Sequence, residues 1–291
     1  MNTTQNPLLL LASLSWHNIN LTPKCFLKLL KDYKKYQFPM SDTWKYIPLK
    51  LQEKLKAKPN WWHNSEEQIL WSVKYGIKFT YPGHHNYPSQ LIMNLKHSPL
   101  LSYIGRPISQ DTHPLLAVVG SRRPSQDSLH WMDSVLGPVI KNNNIHCISG
   151  GAQGIDQHSH KISIRNNAPT VAFIPTGFKN IYPQSFKSYI KAIQKSGGSV
   201  VSLFAPDVPL FKYNFHKRNL LIASLASHIL MIVGQKKSGS LLTANLGLQL
   251  NKEIGTIPQS PWSMFSGNIE LIKQGSQILT TQEDLCTWLK V

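Results

Sequence analysis

Short apolar runs alternating with helix-length segments predict a doubly wound α/β fold, with a Rossmann-like, mostly parallel sheet over residues 81–291. Three observations carry this. The runs are almost continuously apolar and β-branched, as strands covered on both faces are; a glycine or proline turn closes each run; a segment long enough for a helix follows. In chain order the runs are LLAVVG (115–120), IHCISG (145–150), PTVAFIP (169–175), GSVVSLF (198–204), SHILMIVG (227–234) and EIGTIP (253–258). No internal repeat or low-complexity tract interrupts them.

Residues 1–80 have a different texture and predict a small helical domain. From Pro23 to Lys58 basic residues alternate with apolar ones, and Phe26, Leu29, Leu30 and Tyr33 recur at three- and four-residue steps, an amphipathic helix with a lysine-rich outer face. In NSEEQILWSVKYG, Asn64 or Ser65 is placed to cap a helix, Glu66 and Glu67 suit its first turn, and Gly76 ends it. The lysines read by default as a solvated face, with an accessory role in binding DNA as the sharper alternative.

The chain has 291 residues, 31 Lys and Arg against 14 Asp and Glu, and a formal net charge of +17. Such a surplus concentrates polyanions, and nucleic acid is the expected partner. The three cysteines, Cys25, Cys147 and Cys286, lie far apart without zinc spacing, which fits a reducing cytoplasm and predicts no metal or disulfide framework. LLLLASLSW (8–16) has the apolar core of a signal peptide but no basic residue before it, so secretion is not expected, and no run reaches the ~20 residues of a membrane span.

In a doubly wound sheet ligands bind beyond the carboxyl ends of the strands, so the turns there hold the candidate site. Three share one chemistry. VVGSRRPS presents Ser121, Arg122 and Arg123 after Gly120; SGGAQGID carries Gly150, Gly151 and Gly154; KKSGSLLTA opens a helix with Ser238, Gly239 and Ser240. Glycines admit a close ligand, helix N-termini offer free N–H groups and serines add donors, so each turn suits a phosphate. The basic cluster HKRN (216–219) lies nearby in the sequence pattern. GGAQG is neither a dinucleotide fingerprint nor a Walker loop, since no Lys-Ser/Thr closes it, and no cofactor is predicted.

VVGSRRPS, ISGGAQGIDQHSH, PTGFKNIYPQS, NFHKRNLLIASLASHILMIV, KKSGSLLTA and SGNIELIKQGSQIL, in this order, resemble the DNA-processing protein A (DprA/Smf) family. The resemblance spans roughly residues 81–291, with residues 1–80 a looser match to the family's sterile-alpha-motif-like (SAM-like) domain. It implies a cytoplasmic, non-enzymatic homodimer that binds single-stranded DNA, protects incoming strands and helps load RecA recombinase in natural transformation. By motif, Arg122 would be the main phosphate contact, with Ser121, Gly150, Gly151, Gly154, Lys217, Arg218, Asn219, Ser238, Gly239 and Ser240 completing the DNA site. Phe178, Tyr182 and Phe215 are candidates for stacking bases, a contact worth about 1–3 kcal/mol per base, with ordinary packing as the alternative.

The chain also departs from the family's pattern. Leu220 stands where a basic residue is usual, Leu203 where a glutamate is, a customary glutamate near Val233 is missing, and Pro258 is followed by Gln259. These changes remove a basic group and several acid/base candidates from the sheet edge. No counterpart of the winged-helix domain of many members is expected from these residues. Asp156 and His160, at i and i+4, could form half a metal site or an acid/base pair, but a carboxylate there more often begins its helix. His158 and His160 do not share a helix face, and no catalytic or metal residue is assigned. The alternative function is a nucleotide-processing hydrolase of the related lysine-decarboxylase-like (LOG) group, whose PGGxGTxxE hallmark is absent from SGGAQGID.

Overall fold

The computed structural model describes residues 61–108, 115–260 and 262–291, together with 12, 14–16 and 53. The lysine-rich stripe at 26–33 and most of the expected N-terminal helical domain lie outside the described residues. Helix α1 (Trp61–Lys74) begins three residues before the earlier of its two expected caps, and Gly76, at φ +70°, turns the chain out of it. Strand β1 (Lys78–Thr80) then enters the sheet, so sheet residues begin just before the 80/81 boundary read from the sequence.

Nine strands form one sheet in the order β1-β2-β6-β5-β4-β3-β7-β8-β9. All six expected runs are strands: β3 (Leu115–Val119), β4 (His146–Gly150), β5 (Thr170–Phe173), β6 (Ser199–Ser202), β7 (His228–Met231) and β8 (Glu253–Thr256). They pair in parallel, and β9 (Gln277–Ile278) extends them beyond β8. On the other side β2 (Leu101–Gly105) runs antiparallel to β6 and to β1.

Alternation along β3 shows why these runs are apolar throughout. Leu115, Ala117 and Val119 enter one core with Ile148, Phe173, Leu221, Ile222 and Met231, whereas Leu116 and Val118 enter another with Cys147, Ile140, Ile162 and Leu230. The first face is covered by α2 (Ser89–Asn94), α7 (Lys212–Leu225) and α8 (Gly239–Gln249). The second is covered by α3 (Gln126–Trp131), which passes through a π-helical turn (Met132–Leu136) into α4 (Gly137–Asn143), then by α5 (Ile155–Arg165) and, after α9 (Ser266–Lys273), by α10 (Gln282–Leu289). A third cluster, with Ile193 of α6 (Lys187–Lys195), Phe178 and Phe186, closes the sheet near β5 and β6.

The chain steps from β3 outward through β4, β5 and β6, then returns by α7 to β7 on the opposite side of β3. The strand order therefore reverses between β3 and β7, and the crevice at their carboxyl ends is where such folds bind ligands. Buried Cys147 lies on β4, its thiol pushed up to about 12 by burial, which fits an inert role.

Candidate phosphate-binding edge

The three glycine-containing loops meet at this switch point because their backbones are joined. Ser121 N–H donates to Val233 O at 2.7 Å, tying the loop after β3 to the end of β7. Ile155 N–H donates to Ser121 O at 3.1 Å, tying the same loop to the start of α5. Gly154, at φ +80°, lies against the Ser121 and Arg122 backbone, and a Cβ there would collide with it. Gly151 leaves room for the Phe186 ring, 3.0 Å from where its Cβ would stand. Gly154 is thus demanded by loop-to-loop packing, independently of any ligand, and Gly151 sits in a tight contact of the same kind.

Gly150 makes room for charge. A Cβ at this position would overlap the Arg218 guanidinium and crowd the Asp156 carboxylate, which face each other at 3.4 Å (Nη1 to Oδ2). Their side chains are only 7% and 8% exposed. Burial pushes the Asp156 carboxyl up from its ordinary range, and the guanidinium opposes that shift; burial pushes Arg218 down, and Asp156 opposes that. Asp156 also accepts from Ala152 N–H at 3.4 Å, which fixes the turn into α5. The position that the sequence offers as an acid or base is therefore committed to an internal ion pair.

Arg122, unlike buried Arg218, is exposed, as is its neighbour Arg123. The Arg122 guanidinium carbon lies 5.1 Å from the centre of the Phe215 ring, and that of Arg218 lies 5.8 Å from the same ring, so the aromatic bridges an outer and an inner cation. Tyr182, partly exposed, meets Phe215 edge-on at 6.3 Å. Of the three expected stacking rings, Phe178 is buried in the third core cluster, while Tyr182 and Phe215 stand beside Arg122.

The neighbours of Arg218 on α7 point different ways. Asn219 is buried and donates to Gly239 O at 3.3 Å, linking α7 to the first turn of α8. Half-buried Lys217 stands 5.0 Å over the Tyr213 ring and lines a separate cavity with Leu203, Leu220 and Trp16; burial lowers its ammonium from the ordinary value. Leu203 and Leu220, the residues that depart from the family's pattern, thus pack on the core and share one apolar wall.

At α8, Ser238 caps the helix, its Oγ accepting from Leu241 N–H at 3.2 Å and lying 3.0 Å from Ser240 Oγ. The first N–H groups of a helix lack intrahelical acceptors, and here they belong to Gly239 and Ser240. Lys236 and Lys237, both exposed, precede this turn; Lys236 pairs with Glu270 at 3.3 Å. Ser121, Arg122, Gly154 and the 238–240 turn are therefore brought to one edge, whereas Arg218 and Asn219 sit beneath it and Lys217 faces aside.

His160 is buried, with Nε2 2.7 Å from Gly150 O and Nδ1 2.7 Å from Thr170 Oγ1. Its pKa is pushed down to about 4 by burial, so it is a neutral core group that props the end of β4. His158 pairs instead with Asp133 at 3.1 Å. Among the described residues no cluster of three or more His, Cys, Asp or Glu could hold a metal ion.

Fold and edge together define a class: a Rossmann-like α/β protein with basic, serine- and glycine-bearing loops at its switch point. Within that class the chain belongs to the DNA recombination-mediator protein A family, whose model matches residues 78–290. Protein Smf of Escherichia coli is 31% identical over 218 residues, 70% of this chain and 56% of that protein. DNA processing protein DprA of Bacillus subtilis is 29% identical over 171 residues, 58% of this chain and 57% of that protein. The chain thus spans about half the length of these relatives. Among solved structures, DNA processing protein A of Streptococcus pneumoniae shares the fold with a TM-score of 0.74 at 24% identity, over 99% of this chain and 98% of that one. Its counterpart from Helicobacter pylori, solved for its unique single-stranded DNA binding mode, aligns with a TM-score of 0.65 at 25% identity, over 73% of this chain and 96% of that one.

Proposed function

We propose that this protein binds single-stranded DNA through the switch-point edge and acts as a non-enzymatic recombination mediator in the cytoplasm. It protects incoming strands and, as a homodimer, helps load RecA recombinase during transformation and recombination. The observation that carries the reading is Arg122: an exposed guanidinium, braced on Phe215, at the edge that also carries the 238–240 turn with its helix-terminal N–H groups, on a chain of net charge +17. A planar guanidinium held in this way grips a phosphate without reading bases. The single-stranded DNA binding described for the Helicobacter pylori relative supports the choice of ligand. No described helix is long and apolar enough to cross a membrane.

The test is fluorescence anisotropy of labelled oligo-dT of graded length with single- and double-stranded competitors. Affinity that grows with length and yields only to single-stranded competitor supports the reading. Equal competition by duplex, or binding of mononucleotides in place of oligonucleotides, overturns it.

A further inference from the structure

We infer that Trp262 is a base-stacking platform that extends the single-stranded DNA site along the sheet edge, past the 238–240 turn. Trp262 is 95% exposed, and Met264 beside it is 67% exposed. Among the described residues no core cluster includes this indole. The loop that carries it is nevertheless anchored at both ends, by Ile257 at the end of β8 and by Phe265, both buried. Within the loop, Ser260 Oγ accepts from Trp262 N–H at 3.3 Å and Ser263 Oγ accepts from Phe265 N–H at 3.1 Å, so the indole is presented on a short, internally bonded turn.

The position relative to the proposed phosphate edge follows from topology. β3, β7 and β8 are adjacent in the sheet, and strands lie about 4.8 Å apart, so the ends of these three strands fall within about 10 Å. The loop after β8 is also docked onto the loop after β7. Gly267 N–H donates to Gly234 O at 2.9 Å, and a Cβ at Gly267 would press on Gly234 O and Gln235 O at 2.6 and 2.8 Å. Asn268 Oδ1 accepts from Gly234 N–H at 3.0 Å, locking the two loops together. The exposed indole therefore belongs to the same rim as Lys236, Lys237 and the first turn of α8.

A strand whose phosphates follow Arg122 and the α8 turn has its next bases free to reach outward at this rim. Every base has a π-face, so an exposed indole beside basic groups accepts any sequence, in keeping with a phosphate-gripping site. Exposed Lys236 and Lys237 on the adjoining loop, on a chain of net charge +17, favour nucleic acid over an apolar protein partner for this side chain.

This inference rests on the proposed DNA-binding function, and the experiment separates the two. Oligo-dT binding is measured for the wild type, Trp262→Ala and Trp262→Phe at several salt concentrations, then repeated with oligonucleotides carrying base-free sites. Expected are a loss of roughly fivefold or more in Trp262→Ala, retention of most affinity in Trp262→Phe, and an unchanged salt slope, since stacking releases no counterions. Base-free sites should weaken the wild type more than Trp262→Ala. Thermal midpoints of the variants should equal that of the wild type, as befits so exposed a side chain. Wild-type binding that Trp262→Ala leaves intact overturns the inference alone. Altered self-association with intact DNA binding also overturns it, by reassigning Trp262 to a protein contact. Absence of any single-stranded binding by the wild type overturns the function itself.

Discussion

Replacing Asp156 by asparagine tests whether Arg218, unlike exposed Arg122, is an internal strut. In the wild type the Arg218 guanidinium sits 3.4 Å from the Asp156 carboxylate, both side chains less than a tenth exposed, and its Nε has no hydrogen-bond partner among the described residues. Removing the anion leaves a buried cation with neither solvent nor counter-charge, a change that typically costs about 3–5 kcal/mol. For a domain of this size each kcal/mol corresponds to roughly 2–4 °C, so the thermal midpoint should fall by about 6–20 °C. The loss should appear equally in urea unfolding as a lower midpoint with unchanged slope. Pairing Asp156→Asn with Arg218→Met should recover much of the loss, because two apolar or neutral groups can replace a buried ion pair at small cost. A single variant within about 1 kcal/mol of the wild type would refute the view that Arg218 is an internal strut.

Gly154→Ala should be destabilising by about 1–3 kcal/mol, since φ +80° disfavours a side chain and the new Cβ meets the Ser121–Arg122 backbone; urea unfolding measures it, and DNA affinity should fall with the displaced loop. Phe215→Ala removes the ring that braces Arg122, so oligo-dT affinity should drop while the salt slope stays, as anisotropy at several salt concentrations would show. The folded-state pKa of His160, about 4, lies below its ordinary value near 6.5. The unfolded chain therefore binds the extra proton between those limits, and stability should fall by on the order of 3 kcal/mol as pH drops through that window, levelling off below it. His158 and His228 are shifted downward as well, so the check is a flatter pH profile of the urea midpoint in His160→Gln than in the wild type.

What was legible in the sequence follows from what a local pattern can hold. The six parallel strands were readable because burial on both faces forces apolar residues at every position, as the fully buried run Leu115–Val119 shows. β2 leaves no such signal, although LSYIG is mostly apolar, because it pairs antiparallel on both sides and lacks the strand–turn–helix rhythm. β9, two exposed residues long, leaves no pattern at all. At the site the chemistry of the loops was visible, but not which side of α7 each basic residue takes. A signal did exist: Asn214, Arg218, Leu221 and Leu225 recur at four-, three- and four-residue steps, and all four are buried. Following that stripe would have put Arg218 inside and Lys217 off it. The glycines were read for ligand approach, whereas the volumes they spare are filled by Arg218, Phe186 and the Arg122 backbone, contacts between segments distant in sequence. Trp262 could not be singled out among eight tryptophans, because its exposure depends on the docking of two loops.

The measurement that tests the central claim most directly is the slope of log affinity against log salt for a fixed oligo-dT, taken in parallel for the wild type and Arg122→Ala. Neutralising a phosphate on a single strand contributes about −0.7 to that slope, so a linear fall is expected in the wild type and a slope shallower by about 0.7 in the variant, at equal thermal stability. Parallel slopes for the two proteins, or a wild-type affinity indifferent to salt, would contradict the assignment of Arg122 as the phosphate grip.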